Sequence, residues 1–189
     1  APEGPLNATV LVQIEGLLEE LDMAQYLRTQ TIFEIGPEGW YSFCDEYFTD
    51  IARLRRDKFP RVTIGGDERL FLELCGKLDR LAIRQILNRR LDFNTACISV
   101  NILVETAMSA GFAEFTARIP KDQRGNLMVE LHRADLFQDF AAGRSALVRL
   151  HDAGFVLAID GLTLDLLPFI NLDKLGLDII KVQFHKDQV

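Results

Sequence analysis

Apolar side chains recur along this chain in two rhythms. Over residues 10–27 the positions Val10, Ile14, Leu17, Leu18 and Leu21 fall at helical spacing, as do Leu70, Phe71, Leu74, Leu78 and Leu81 over 68–87. Between them, residues 31–35 and 40–48 read as strands joined by the turn Gly36-Pro37-Glu38-Gly39, a link short enough to make the pair antiparallel. From residue 98 the pattern changes to short apolar runs that end in, or carry, one polar residue. These are Ile98-Ser99-Val100-Asn101, Leu127-Met128-Val129-Glu130, Val156-Leu157-Ala158-Ile159-Asp160 and Ile179-Ile180-Lys181-Val182. Such runs suit parallel strands buried on both faces, and the spacing of about 20–30 residues between their polar ends leaves room for crossover helices. Leu136, Phe140, Leu147 and Leu150 place one such helix, with Gly154 as its stop.

Strand and helix alternating in this way predict an α/β domain with a mostly parallel sheet, either open or part of a closed barrel. Asn101, Glu130, Asp160 and Lys181 would then meet at the carboxyl end of the sheet, where ligands bind in such folds. Two carboxylates, an amide oxygen and an ammonium suit a divalent cation and a phosphate. Residues 1–28 read as a linker and connecting helix whose apolar face has no assigned core, and 29–189 as the domain itself.

Composition narrows the function classes. A chain of 189 residues with 48% hydrophobic side chains can bury a core, and a net charge of −7 argues against binding a nucleic-acid polymer. Local basic groups, Arg53, Arg55, Arg56 and Lys58 and then Arg84, Arg89 and Arg90, read as solvated helix faces. Cys44, Cys75 and Cys97 show neither CxxC spacing nor neighbouring His pairs, so no zinc site or disulfide framework is expected. That cysteine usage fits a reducing cytoplasm, no apolar run is long enough to span a membrane and no leader is visible, so a cytoplasmic location is expected. The start Ala1-Pro2-Glu3-Gly4-Pro5, without Met, suits a piece of a longer protein. His132, His151 and His185 are dispersed and are assigned to helix and loop surfaces, while Trp40 and Phe43 are expected to pack the first strands.

In order and spacing, these residues resemble the bacterial EAL domains, barrel-shaped phosphodiesterases and receptors for cyclic di-GMP. Ile98-Ser99-Val100-Asn101 is similar to the family strand ending in a metal-binding Asn, and Val129-Glu130-Leu131 to the next, with its metal-binding Glu. Ala158-Ile159-Asp160 resembles the start of the Asp-Asp motif, Ile180-Lys181-Val182 the strand with the active-site Lys, and Glu46 falls near the name-giving Glu. The resemblance implies a TIM-like barrel with its first strand antiparallel and the rest mostly parallel. It also implies two more strands and a final catalytic Glu beyond Val189, so the barrel is expected to be incomplete. Open strand edges favour a protein partner or a homodimer.

The departures from the family pattern bear on activity. Gly161 stands where the second Asp belongs, Gln183 replaces the Asp after the Lys strand, and Leu162-Thr163-Leu164-Asp165-Leu166-Leu167-Pro168 replaces a Gly- and Ser-rich loop. The arginine expected after the Glu-Ala-Leu segment has no counterpart at Asp50 or Ile51. Two-metal hydrolysis needs both ions, about 3.5–4 Å apart, to activate water and stabilise the leaving oxygen. The expectation is therefore an inactive EAL-like signalling domain that acts through protein contacts, with cyclic di-GMP as a second candidate ligand. Lys181 would be vestigial, with Glu46, Asn101, Glu130 and Asp160 as a vestigial or single-metal set. No cofactor is expected, and a residual site would take Mg²⁺ or Ca²⁺. The alternative is an active metal-dependent phosphodiesterase using the same residues. Taken singly, Asn101 also suits a turn, Asp160 before Gly161 a turn start, and Glu130 an ion pair with an Arg or Lys, while Lys181 inside a buried strand needs a carboxylate partner, Glu130 or Asp160.

Gly65-Gly66-Asp67-Glu68 is similar to the Gly-Gly-Asp-Glu-Phe signature of diguanylate cyclases. Arg69 replaces the Phe and helical spacing follows, so Asp67 reads instead as a helix N-cap.

Overall fold

The computed structural model describes residues 2–88 and 97–183. In chain order these form β1 (Gly4–Pro5), α1 (Ala8–Glu19), β2 (Leu27–Gly36), β3 (Gly39–Thr49), α2 (Ile51–Lys58), β4 (Val62–Thr63), α3 (Glu68–Asn88) and β5 (Ile98–Ile102). Then follow α4 (Val104–Met108), α5 (Ala110–Arg118), β6 (Leu127–His132), α6 (Arg133–Gln138), α7 (Phe140–Ala153), β7 (Val156–Thr163), α8 (Leu172–Leu175) and β8 (Ile179–Gln183). Residues divide into two compact units, 1–29 with 47–91 and 30–46 with 92–189.

In the first unit α1 starts where Asn7 accepts a hydrogen bond from the Val10 N–H at 3.0 Å. The helix ends at Glu19, earlier than the spacing predicts, because a 3-10 turn over Met23–Gln25 takes over. Its apolar face, expected to lack a core, buries Val10, Leu11, Ile14 and Leu18 against Leu54, Phe59, Leu70, Leu74 and Leu78. Nor are the first residues spacer: β1 pairs in parallel with β4, and Leu6 is buried in the same core. Each such Leu or Phe contributes about 1.5–3 kcal/mol by leaving water. Asp67 caps α3 by accepting from the Leu70 N–H at 3.0 Å, which settles Gly65-Gly66-Asp67-Glu68 as a helix start.

In the second unit the strands join one six-stranded sheet of order β2-β3-β5-β6-β7-β8, curled as an incomplete barrel. The two-residue link between β2 and β3 makes that pair antiparallel. From β5 to β8 every pairing is parallel, with Asn101 beside Glu130, Glu130 beside Ala158 and Ala158 beside Ile179. β6 is buried from Leu127 through Leu131, as its unbroken apolar run requires. α7 stops at Gly154, which adopts φ +90° so that its N–H can reach the Leu150 and His151 carbonyls. Arg124 ties two helix ends together: its guanidinium donates to the Ile119, Thr116 and Ala153 carbonyls at 3.0–3.1 Å. Within the curl, Cys44, Met128 and Ala158 pack with Ile32, Cys97, Val156 and Ile179.

Trp40 and Phe43 do not pack as expected. They are 71% and 40% exposed, and Phe33, Ile35 and Tyr41 on the same hairpin are exposed too. Residue alternation explains it for Phe33, Ile35, Tyr41 and Phe43: Ile32 and Cys44 turn inward, which directs these neighbours to the opposite face. Arg89, Arg90 and His185 lie outside the described residues.

Candidate functional site

Four of the five residues singled out from the sequence meet above this apolar floor. Lys181 on β8 donates to Glu130 Oε2 at 2.7 Å and to Glu46 Oε2 at 3.2 Å. Asn101 Nδ2 donates to Glu46 Oε1 at 2.6 Å, and the Ser99 hydroxyl donates to Glu130 Oε1. Each of the four carboxylate oxygens therefore already accepts a hydrogen bond from the protein. Alternation along β5 aims Ser99 and Asn101 at the same face, so Ser99 was the polar residue legible from period two but not singled out.

Burial sets the electrostatics. Glu130 is fully buried, and desolvation pushes its carboxyl above the usual range although Lys181 and Ser99 pull the other way. For Lys181 burial also opposes the charged form, but Glu130 and Glu46 outweigh it and raise its pKa above the ordinary lysine value. The ammonium is thus held charged between two carboxylates, with its side chain only 28% exposed.

Asp160 stands apart from this cluster. The register passes from Ile159 beside Ile180 to Leu162 beside Val182, so Asp160 and Gly161 form a bulge opposite Lys181. Among the described residues no hydrogen bond or ion pair joins Asp160 to the other four, and Lys181 takes Glu46 rather than Asp160 as its second partner. Gly161 adopts φ +79°, and a Cβ there would meet His132 Nε2 at 2.6 Å and Cδ2 at 3.0 Å. His132, expected on a helix or loop surface, instead ends β6 beside Asp160. Its Nδ1 accepts from the Ala134 N–H at 3.2 Å, so in the neutral ring Nε2 carries the hydrogen.

This arrangement does not suit a pair of divalent ions. Among the described residues no group of three His, Cys, Asp or Glu side chains is placed to hold a metal. An ion between Glu46 and Glu130 would have to displace the Lys181 ammonium or face its charge, and a second carboxylate at 161 would meet the imidazole. The cluster can hold its own strands in register.

Comparison with known proteins agrees with the topology. The EAL domain family model matches residues 70–185. No curated protein sequence matches the chain. Among solved structures, a Vibrio cholerae LapD segment comprising S helix, GGDEF and EAL, bound to c-di-GMP, superposes with TM-score 0.57 at 12% identity, over 92% of this chain and 43% of that one. The apo form of the same segment gives 0.55 at 15% identity, over 94% and 45%. Klebsiella pneumoniae BlrP1, in a manganese and cyclic di-GMP complex, gives 0.52 at 16% identity, over 84% and 40%. The chain thus spans less than half the length of each, and at these identities the likeness concerns the fold. Among the described residues no helix is long and apolar enough to cross a membrane.

Proposed function

Because this chain belongs to the EAL domain family, we propose that it is a signalling domain that does not hydrolyse cyclic di-GMP and works through contact with a protein partner. The observation that carries this reading is the Lys181 ammonium bridging Glu46 and Glu130, with all four carboxylate oxygens taken by protein donors. Hydrolysis by two ions needs open carboxylate oxygens to hold them while they polarise the attacking water and the leaving oxygen. Here Lys181 supplies the positive charge between the two carboxylates. A side chain at 161 would need a left-handed backbone and would crowd the His132 ring, which weighs against a further carboxylate ligand there.

What supports a protein partner is the hairpin, where Phe33, Ile35, Trp40, Tyr41 and Phe43 all stand at least 40% exposed on β2 and β3, with β2 at the sheet edge. Clustered apolar exposure of this kind marks contact surfaces. One of the LapD structures and the BlrP1 structure hold the cyclic dinucleotide, so a receptor role for the same molecule belongs to the test.

The test is calorimetric titration of cyclic di-GMP, with and without Mg²⁺ or Ca²⁺, followed by chromatography of the incubated mixture. The expected result is intact cyclic dinucleotide and no dependence of any binding on the metal. Metal-dependent appearance of the linear dinucleotide overturns the proposal.

A further inference from the structure

A second site lies outside the Lys181 cluster and shares no residue with it. Phe137 at the end of α6 and Phe140 at the start of α7 place their rings 6.1 Å apart and within 11° of parallel, yet remain 37% and 52% exposed. With Ile170 and Leu175 they line a cavity of about 390 Å³. That is within the range of about 300–1,000 Å³ that accommodates small organic ligands. Arg144, Asn171 and Lys174 supply the polar part of the wall, and among the described residues no carboxylate lines it. Nor does either cation enter an ion pair there, on a chain with 28 acidic against 21 basic residues. Phe137 and Ile170 also face an adjoining hollow of about 360 Å³, lined by Arg133. Asp165 is within electrostatic reach of Arg133, but the buried Arg133 Nε has no hydrogen-bond partner among the described residues.

Apolar walls alone would receive a lipid tail or an aliphatic side chain. Cations without counter-charge beside paired flat rings add two further demands, a negative end and a planar face. Rings gain by offset or edge contact with other rings, and guanidinium and ammonium groups gain by closing on an anion. We propose that this cavity binds a small organic anion with a planar aromatic body. The ring rests on Phe137 and Phe140, and the charge lies between Arg144 and Lys174.

The probe is 1-anilinonaphthalene-8-sulfonate, an aromatic anion, titrated into the whole chain and followed by its fluorescence. Phe140→Ala and the double change Arg144→Gln with Lys174→Gln should each weaken binding tenfold or more, with unchanged circular dichroism, because all three side chains are exposed. Trp40→Ala on the exposed hairpin should leave it as it was. Loss of the signal on Trp40→Ala overturns the site. So does wild-type affinity in the double-glutamine variant, because the probe would then be reading apolar surface alone. Inorganic phosphate titrated against bound probe gives a second measurement: displacement at millimolar concentration supports the cationic subsite, and none up to that level speaks against it.

Discussion

Lys181 and Lys174 belong to the same unit and meet opposite surroundings. One is clasped by two carboxylates within 3.2 Å, while the other stands beside Arg144 and two phenyl rings with no acid among the described residues of the wall. The contrast separates two uses of a cation. Where counter-charges are supplied internally, the lysine organises the fold and has little to offer a ligand. Where they are withheld, the charge remains for something that arrives from solution.

Lys181→Ala tests the first half of this contrast and should have the largest effect. It leaves the buried Glu130 and its neighbour Glu46 unpaired, so unfolding in urea should show a loss of about 3–5 kcal/mol. An unchanged midpoint would remove the structural role assigned to the pair. The double change Lys181→Met with Glu130→Gln should lose less than the sum of the two single changes, because the residues touch. Strict additivity would mean that they do not interact.

Gly161→Asp should lose about 1–3 kcal/mol, since a non-glycine residue enters a left-handed conformation against His132. His132→Ala in the same chain should return part of that loss. Thermal melting of the two variants, with and without Mn²⁺, also reads whether the enlarged space accepts a metal, through any ligand-induced rise in midpoint. Adding Gln183→Asp to Gly161→Asp while His132 remains should give no turnover.

A smaller effect is expected from pH. The folded pKa of Glu130 lies above its unfolded value, so its contribution is fully present below the ordinary carboxylate range and fades as pH rises through the raised folded value. Lys181 is also raised, and its contribution is present below the ordinary lysine value and lost as pH climbs past the folded one. Stability measured against pH should therefore fall in both windows, and Glu130→Gln should flatten the acidic one. Lys174→Gln completes the series, with a change within about 0.5 kcal/mol at any pH, as expected for a surface residue without a partner.

Much of this was legible in the chain before any coordinates. The runs ending at Asn101 and Glu130 and the run carrying Lys181 are apolar otherwise except for Ser99, so their strand character and shared edge follow from pattern alone. Asp67, Gly154 and the Pro37-Glu38 turn announce themselves by local chemistry. What escaped depends on partners distant in sequence. The core that receives α1 is assembled from α2 and α3, and no periodicity in residues 8–19 names it. Exposure of Trp40 and Phe43 depends on whether anything covers that face of the hairpin. His132 carries no signal of its own, because its importance arises from the bulge at Asp160 and Gly161 on the next strand.

The contact between Gly161 and His132 also gives mutational order a direction. Aspartate at 161 by itself meets an imidazole nitrogen and a strained backbone, so that step lowers fitness for folding before any ligand can reward it. Removing the imidazole first opens the space at little expense to the core, since His132 is exposed. Carboxylates at both 160 and 161 are therefore reached more readily by changing position 132 before position 161, so the order of the two steps matters.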